Sequence, residues 1–414
     1  MTRKCILPAL ILVLISLASA ADWPQFRGPN RDGLSPETGL LKSWPAEGPE
    51  LLWSAQGVGM GWGSAAVAKG TIYIVGDIDG QETVTALDWE GNVRWKTKIS
   101  ARWEKSFPET RTTPTIDGDA LYINTGLGNV ACLDIESGNI RWQVQTVEMF
   151  GGEYHRWGIA ESPLIIDNMV IATPGGKNAS VVALDKKNGK TLWTSEGLSD
   201  KGSYCSPILV EYGGKKIIAT MLENHFVGID ASDGTLLWKD AFKEYQEGKE
   251  INPVSPVHIN GQIYTTSGYD DGGAMYTLSK DGKSVTRTWV DQTLDVHIGG
   301  VVVLDGVIYG ASWEGNRDGS WVALDWITGE VLWTHKWINK GQIISADGLM
   351  YIYTEKEGKV GLLRPNREKF DLISSFDVTQ GDGQHWAHPS IADGRLFIRH
   401  GDVLMVFDVK SKKS

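Results

Sequence analysis

Short apolar segments, each followed by a glycine-containing turn, recur along the chain in a fixed order. In the first complete example, Ile-Tyr-Ile at 72–74 is followed by Ala-Leu-Asp at 86–88, then by Gly91 and Trp95. Apolar runs of this length bounded by turn residues predict β-strands rather than helices. The tryptophans that end the later units are Trp142, Trp193, Trp238, Trp289 and Trp333.

Each unit also opens with a short strand that carries a Ser-Pro pair or a related dipeptide. A unit therefore contains four strands, and the tryptophans repeat every 42 to 51 residues. Four short strands in about 40–50 residues are typical of one blade of a β-propeller. The opening dipeptides are Thr113-Pro114, Ser162-Pro163, Ser206-Pro207, Ser255-Pro256 and His388-Pro389.

The number of units predicts an all-β, eight-bladed propeller of four-stranded blades. The last unit lacks its fourth strand, while Leu-Leu-Trp at 51–53 is a fourth strand without the first three. Pairing these two parts would close the ring and cover both open edges. We assign residues 51–410 to the propeller and 21–50 to an extended segment, rich in proline and glycine, that is expected to run over the surface. The units start near Ser64, Thr113, Ser162, Ser206, Ser255, Gly300, Gln342 and His388.

Residues 1–20 have the pattern of a secretory signal peptide. Arg3 and Lys4 precede an apolar run from 6 to 17, and Ala-Ser-Ala at 18–20 is a small-residue cleavage site. Cys5 lies before the apolar run, so it is misplaced for a lipid-modified cysteine. We therefore expect a periplasmic or secreted protein without a transmembrane segment after cleavage, the alternative being an uncleaved N-terminal anchor.

Composition narrows the classes of partner. The formal net charge is −11 and there are no basic clusters, which argues against nucleic acids and anionic membrane surfaces. Cys132 and Cys205 lie in apolar strands of different repeats, so we expect two free buried thiols. We also expect the protein to be a monomer. The chain has no G-x-S-x-G, phosphate-binding loop or zinc-spaced His/Cys cluster.

Candidate binding residues lie just before the opening strand of each unit, because loops from all blades converge at the mouth of a propeller channel. Arg111, Glu161 and Lys340 could instead form an ion-pair network inside the channel. The candidates at this mouth are Trp62, Arg111, Glu161, Tyr204, Asn252, His297, Lys340, His385 and Trp386.

A second candidate is the loop over residues 150–157, before the third complete blade. Its Tyr154, His155, Arg156 and Trp157 combine flat aromatic faces with charge, which suits sugars or peptides. The alternative is a loop that packs its own aromatic side chains. A long loop with Trp313, Glu314, Asn316 and Arg317 has the same two interpretations, a binding surface or a loop that packs its own aromatic side chain.

The pattern A-L-D-x-x-x-G-x-x-x-W, clearest at 183–193, resembles the pyrroloquinoline quinone (PQQ) repeat, the tryptophan-docking motif of quinoprotein propellers. With the stretches at 23–33 and 267–274, the chain looks like the exported PQQ-binding-like propellers of bacteria. Relatives in this family include the propeller of the outer-membrane β-barrel assembly machinery and the quinoprotein dehydrogenases. The resemblance extends from residue 51 to 409 and implies the fold, because the motif reports blade docking rather than contact with a quinone.

The resemblance also implies what a dehydrogenase would need. The family's enzymes use a calcium or lanthanide ion, a catalytic aspartate and often a vicinal disulfide, and this chain has no Cys-Cys pair. The candidate ion ligands are two pairs of aspartates, Asp77 with Asp79 and Asp270 with Asp271. The alternative is that these side chains are solvated loop carboxylates that bind no ion. We expect no cofactor and no bound metal, with PQQ and calcium as the alternative.

Three functions are compatible with these residues. We favour a non-enzymatic binding or scaffolding propeller of the cell envelope that recognises a protein or glycan through its loop face and channel mouth. The alternative is a PQQ-dependent oxidoreductase acting on an alcohol or sugar. A third possibility, a polysaccharide lyase or hydrolase, would use Glu161 with His297.

Overall fold

The computed structural model describes residues 22–242 and 251–412, so the predicted signal peptide over residues 1–20 lies outside the described residues. The described strands form eight sheets of four strands each, one of them extended by a fifth short strand. The chain is therefore an eight-bladed β-propeller, and the predicted fold class is confirmed. Within the described residues, no helix has the length and apolarity needed to cross a membrane.

The elements follow the predicted units in chain order. Two strands, β1 (Leu34–Ser35) and β2 (Glu50–Gln56), precede the first complete blade. Blades 1 and 2 comprise β3 (Ala66–Ala68), β4 (Thr71–Ile78), β5 (Gln81–Leu87), β6 (Val93–Ala101), β7 (Thr115–Asp117), β8 (Ala120–Asn124), β9 (Asn129–Asp134) and β10 (Ile140–Gln145), followed by α1 (Thr146–Phe150). Blades 3 and 4 comprise β11 (Leu164–Ile166), β12 (Met169–Ala172), β13 (Val182–Asp185), β14 (Thr191–Thr194), β15 (Ile208–Tyr212), β16 (Lys215–Met221), β17 (His225–Asp230) and β18 (Leu236–Ala241).

The remaining blades repeat this arrangement. Blades 5 and 6 comprise β19 (Val257–Ile259), β20 (Gln262–Thr266), β21 (Gly273–Leu278), β22 (Val285–Asp291), β23 (Val296–Leu304), β24 (Val307–Gly315), β25 (Asp318–Asp325) and β26 (Val331–His335). Blades 7 and 8 comprise β27 (Gly341–Ala346), β28 (Leu349–Thr354), β29 (Lys359–Arg364), β30 (Asp371–Asp377), β31 (Ser390–Ala392), β32 (Arg395–His400) and β33 (Val403–Asp408), with β2 as the fourth strand of blade 8.

The ring is closed as the sequence predicts. Strand β2 pairs antiparallel with β33, and Trp53 lies opposite Val406. The N-terminal strand therefore becomes the outer strand of the blade that the C-terminal strands begin. This pairing joins the two ends of the array and removes the exposed strand edges that an open ring would have.

The repeated glycine and tryptophan connect neighbouring blades. The Nε1 of Trp95 in blade 1 donates to the Ile135 carbonyl of blade 2 at 3.1 Å. Gly138 in the same turn has φ 71°, and a Cβ there would lie 2.6 Å from the Trp95 ring. Glycine is required here both for the left-handed backbone and for the close approach of the indole. Trp142 and Trp193 make the same pair of contacts with the turns of blades 3 and 4.

The first half of the N-terminal segment, residues 22–35, does not run over the surface, and for that half the expectation is wrong. Trp23 is fully buried and pairs with Val67 of β3, and β1 adds a parallel strand to the inner edge of blade 7. Between these points Arg27 and Arg31 are 1% and 2% exposed. Residues 36–47 are mostly exposed, as the sequence predicts.

The two buried arginines join blades that are far apart in the chain. Arg31 donates to the carbonyls of Ser162, Pro163 and Pro207, in the opening segments of blades 3 and 4. Arg27 donates to the carbonyls of Val301 in blade 6 and Ile343 in blade 7. Burial lowers the pKa of Arg31 to about 9 and that of Arg27 to about 10, so both guanidinium groups remain charged at neutral pH.

The two cysteines of the described residues, Cys132 and Cys205, are buried and free, as predicted. Cys132 lies on β9 and Cys205 just before β15, so they belong to different blades. Burial raises the pKa of the Cys205 thiol to about 11. Both thiols are therefore protonated and serve as small apolar core groups.

Candidate functional site

A cavity of 690 Å³ lies at the mouth of the channel, and we call it the cup. Phe26 of the buried N-terminal segment and His388 of blade 8 both line it, with their rings in an edge-to-face contact at 5.0 Å. The N-terminal segment bonds to the inner parts of blades 1 to 4, 6 and 7, so it lies across the channel next to the cup. The volume of the cup is within the range of about 300–1,000 Å³ that is typical of small-ligand sites.

Two sets of loops build the cup. Predicted residues Trp62, Arg111, Tyr204, His297 and Trp386, which precede opening strands, all line it. The second set connects the second and third strands of blades 5, 6 and 7. It lies outside the loops before the opening strands, but the sequence offers Trp313, Asn316 and Arg317 as a candidate loop and Asp270 as a candidate ion ligand. This set contributes Tyr269, Asp270, Trp313, Asn316, Arg317, Glu355 and Lys356.

The first aromatic platform consists of Trp62, Phe107 and Trp386. The Trp62 and Trp386 ring centroids are 4.8 Å apart, and Phe107 lies 5.5 Å from Trp386. The Arg111 guanidinium lies over the Trp62 ring at 5.2 Å from its centroid. This part of the wall therefore combines a broad apolar face with a cation held by a cation–π contact.

The second platform has the same design, and the third has an arginine in the same hairpin, with no cation–π contact among the described residues. Trp157 packs on Tyr204 at 5.6 Å, with the Arg156 guanidinium 5.6 Å from the Trp157 ring centroid. Tyr269 packs on Trp313 at 5.2 Å, and Arg317 follows Trp313 in the same hairpin. The cup therefore has three aromatic platforms around its wall, each with an arginine nearby.

All three aromatic residues that have a left-handed backbone in the described part of the chain line the cup. Phe107, Tyr204 and Tyr269 have φ values of 54°, 71° and 67°, and Asp270 has 68°. A bulky residue in the left-handed region costs about 1–3 kcal/mol and persists where the surrounding structure imposes it. All three platforms therefore contain a side chain that a strained backbone directs into the wall of the cup.

The lining of the cup is cationic although the chain is acidic overall. Its two carboxylates belong to Asp270 and Glu355. None of its cationic groups lies within 4.0 Å of a carboxylate in residues 22–242 and 251–412. The cup therefore has unpaired positive charge available for an anionic ligand. The cationic side chains are Arg111, Arg156, Arg317 and Lys356.

A buried polar chain runs behind the third platform. The Tyr269 hydroxyl contacts His297 Nε2 at 2.8 Å, and His297 Nδ1 lies 4.0 Å from Glu355 Oε1. Glu355 Oε2 is 3.5 Å from Lys340 Nζ, which also donates to the Gly315 carbonyl at 2.9 Å. Burial, helped by the Lys340 charge, lowers the pKa of His297 to about 3, so its ring is neutral and its Nε2 accepts a hydrogen bond from the Tyr269 hydroxyl.

The other predicted mouth residues lie in the channel wall, outside the cup. Glu161 accepts a hydrogen bond from Asn124 Nδ2 at 3.1 Å. Asn252 Nδ2 donates to the Leu222 carbonyl at 2.8 Å, and His385 Nδ1 contacts the Tyr353 hydroxyl at 2.6 Å. Since Lys340 pairs with Glu355 and Glu161 with Asn124, the predicted network of Arg111, Glu161 and Lys340 is not formed.

The predicted 150–157 loop is divided between the two readings that the sequence left open. Arg156 and Trp157 line the cup. Tyr154 packs on Trp103 at 5.2 Å and donates to the Leu127 carbonyl, while the His155 ring lies 5.8 Å from that of Tyr204. Arg156 and Trp157 therefore contribute to the cup, whereas Tyr154 and His155 pack against aromatic side chains of neighbouring loops.

Glu161→Gln is expected to stabilise the protein more at pH 8 than at pH 5, by about 2–3 kcal/mol. Burial raises the pKa of Glu161 from 4.5 to about 7. The folded state thus holds this proton more tightly than the unfolded chain does. The resulting stabilisation is complete below pH 4.5 and is lost as the pH rises through 7, whereas glutamine does not titrate. Urea unfolding at both pH values measures the difference.

Glu136→Gln is the matched control, because Glu136 is exposed in the turn after β9. Its effect on the free energy of unfolding should be the same at pH 5 and pH 8. An equal effect of Glu161→Gln at both pH values would show that Glu161 is ionised in the folded protein throughout this range.

The residues of the cup do not fit a calcium-bound quinone. Calcium takes six to eight oxygen ligands, and no group of three His, Cys, Asp or Glu side chains in the described part of the chain could hold a metal ion. Glu355 already faces the Lys340 ammonium, and Asp77 pairs with Arg102 at 2.7 Å. The aromatic and cationic lining is compatible with the anionic ring system alone, without the metal.

Comparison with known proteins relates most of the array to one family. A family model described as outer membrane protein assembly factor BamB matches residues 38–149 and 101–335. Quinoprotein alcohol dehydrogenase PedH of Pseudomonas putida is 25% identical over 44% of this chain and 32% of its own length. Outer membrane protein assembly factor BamB of Yersinia pestis is 24% identical over 44% of this chain and 43% of its own length.

A solved structure agrees with the fold. Quinohemoprotein alcohol dehydrogenase from Comamonas testosteroni superposes with a TM-score of 0.69 and 13% identity, over 95% of this chain and 81% of that structure. The chain spans less than half the length of the two sequence relatives above. The likeness therefore concerns the propeller, and the relatives' names include both an assembly factor and dehydrogenases.

Proposed function

Since this chain belongs to the PQQ-repeat propeller family whose model is described as outer membrane protein assembly factor BamB, we propose that it is a binding propeller of the cell envelope. It recognises a protein or glycan partner through the cup and the loops around it. The protein acts after export, in the periplasm or outside the cell, and it works by binding rather than by catalysis.

The cup is the observation that carries this proposal. Aromatic and arginine side chains are the groups that dominate binding energy at recognition sites. Here they converge on one cavity, and three of the aromatic side chains belong to residues with a strained backbone. Strain of this kind is costly and is found mainly at functional sites.

The quinoprotein reading is supported by the names of several relatives and by the cationic lining. The side chains around Glu355 oppose it, because the Lys340 ammonium holds the place next to that carboxylate that a divalent cation would need. We therefore expect no calcium-dependent quinone binding. Titration with PQQ and calcium, followed by absorption of bound quinone and dye reduction, tests this, and a stoichiometric calcium-dependent signal would replace our proposal with the oxidoreductase.

Capture from envelope extract tests the binding function. The purified full chain is immobilised beside a cup variant, Arg111→Ala with Trp386→Ala, and a control, Arg94→Ala, which removes an exposed arginine of β6. Proteins retained are identified by mass spectrometry, and glycans by sugar analysis. We expect the wild type and Arg94→Ala to retain the same component and the cup variant to lose it. Equal retention by all three proteins would contradict a role for the cup.

A further inference from the structure

We infer that the cup binds the end of a short acidic oligosaccharide, a chain of uronate sugars, with its rings on the aromatic platforms and its carboxylates on the arginines. This inference rests on the proposed function and gives its ligand a chemical class.

The repeated pairing of platform and arginine is the first argument. A pyranose ring presents an apolar C–H face and, when it is a uronate, a carboxylate at its edge. The apolar face gains by leaving water against an indole or phenol ring. The carboxylate accepts two parallel hydrogen bonds from a guanidinium. Three platforms with three arginines therefore fit a ligand in which a flat apolar face and a negative charge recur together.

The placement of the platforms favours a chain of separate rings over one rigid plane. Within each platform the two rings are tilted, with interplanar angles of 58° for Trp62 and Trp386, 48° for Trp157 and Tyr204, and 41° for Tyr269 and Trp313. A fused planar ligand could therefore stack on only one ring of a platform at a time. Because the three platforms come from different blades, sugar rings joined by rotatable glycosidic bonds can each turn to a different one.

The polar groups of the wall suit sugar hydroxyls. Asn316 and Gln384 present amide groups, which both donate and accept hydrogen bonds, and the Tyr269 hydroxyl, which donates to His297, can accept one. His297 Nδ1 is buried and has no hydrogen-bond partner among the described residues. A few neutral polar groups between apolar surfaces are the usual means of orienting a small polar ligand.

The N-terminal segment argues for the end of a chain. It bonds to the inner parts of blades 1 to 4, 6 and 7, so it occupies the channel that a threading polymer would need. An extended peptide would bind by adding to a strand edge. Buried arginines already occupy carbonyls of the inner segments: Arg31 holds those of Ser162 and Pro207, and Arg399 holds those of Gly63 and Val75. The cup therefore offers side chains rather than a free backbone edge.

Calorimetry with defined trisaccharides tests the inference. The probes are trigalacturonate and trimannuronate, with their fully methyl-esterified forms, which keep the rings and remove the charge. We expect at least one acid to bind and its ester to bind at least about tenfold more weakly. Arg317→Ala, which changes an exposed loop residue, should weaken the acid about tenfold and leave the ester unchanged. Trp386→Ala should weaken both, and Arg94→Ala neither.

Each other outcome overturns the inference. Equal affinity for acid and ester would show that the arginines do not bind the carboxylate. If neither acid binds, uronates are not the ligand. Tighter binding of triglutamate would make the ligand an acidic peptide, and tighter binding of PQQ would make it the quinone. Envelope capture by the wild type that depends on the cup would still support the proposed function in these cases, so the two failures are distinguishable.

Discussion

Replacing Arg31 with methionine is expected to lower the free energy of unfolding by about 3 kcal/mol. The Arg31 guanidinium donates to the carbonyls of Ser162 and Pro207 at 3.1 and 3.0 Å. Methionine fills similar space but donates nothing, so buried carbonyls of two blades lose their partner, and each costs about 1–3 kcal/mol. Release of a buried charge offsets part of this loss. Urea unfolding of the full chain measures the difference.

Arg94→Met is the control for this measurement, because Arg94 is exposed on the outer strand β6. Its effect should stay within about 0.5 kcal/mol. A loss of less than 1 kcal/mol for Arg31→Met would show that water or other donors replace the guanidinium.

The propeller itself could be predicted from the sequence because its determinants are local. Each unit of the sequence contains the residues that determine its own turns and strands. A glycine also recurs at a fixed place in the unit and contacts the tryptophan of the preceding blade, as Gly138 contacts Trp95. The closure by Trp53 followed from counting strands. No local pattern could show that Arg27 and Arg31 are buried, because the carbonyl and hydroxyl acceptors that hold them come from blades 2 to 4, 6 and 7 and meet only in the closed ring.

The cup was predictable in part for a similar reason. Aligning the units identified the loops before each opening strand, and five of those residues line the cavity. Tyr269, Trp313 and Glu355 lie in or beside the connections between second and third strands, which end at the same face. Irregular loops carry no repeat signal, so only the antiparallel order of the strands could have placed them there.

Lys340→Met is expected to lower the free energy of unfolding by about 3–5 kcal/mol, because it leaves the buried Glu355 carboxylate without its cation. The Lys340 and Glu355 side chains are only 2% and 4% exposed, and Nζ lies 3.5 Å from Oε2. Burial raises the pKa of Glu355, and the Lys340 charge opposes this rise. Lys336→Met is the matched control in the same loop region: its side chain is 64% exposed and pairs with Glu314 and Asp318 at the surface, so its loss should stay below about 1 kcal/mol.

The double variant, Lys340→Met with Glu355→Gln, decides whether the pair stabilises the fold by its attraction or is only costly to break. Removing both charges also removes the uncompensated burial, so we expect the double variant to recover at least about half of the loss. A double variant no more stable than Lys340→Met would mean that the ammonium acts mainly through the Gly315 carbonyl, to which it donates at 2.9 Å. In that case Lys340 holds the loop that carries Trp313 and Arg317, and the third platform depends on it directly.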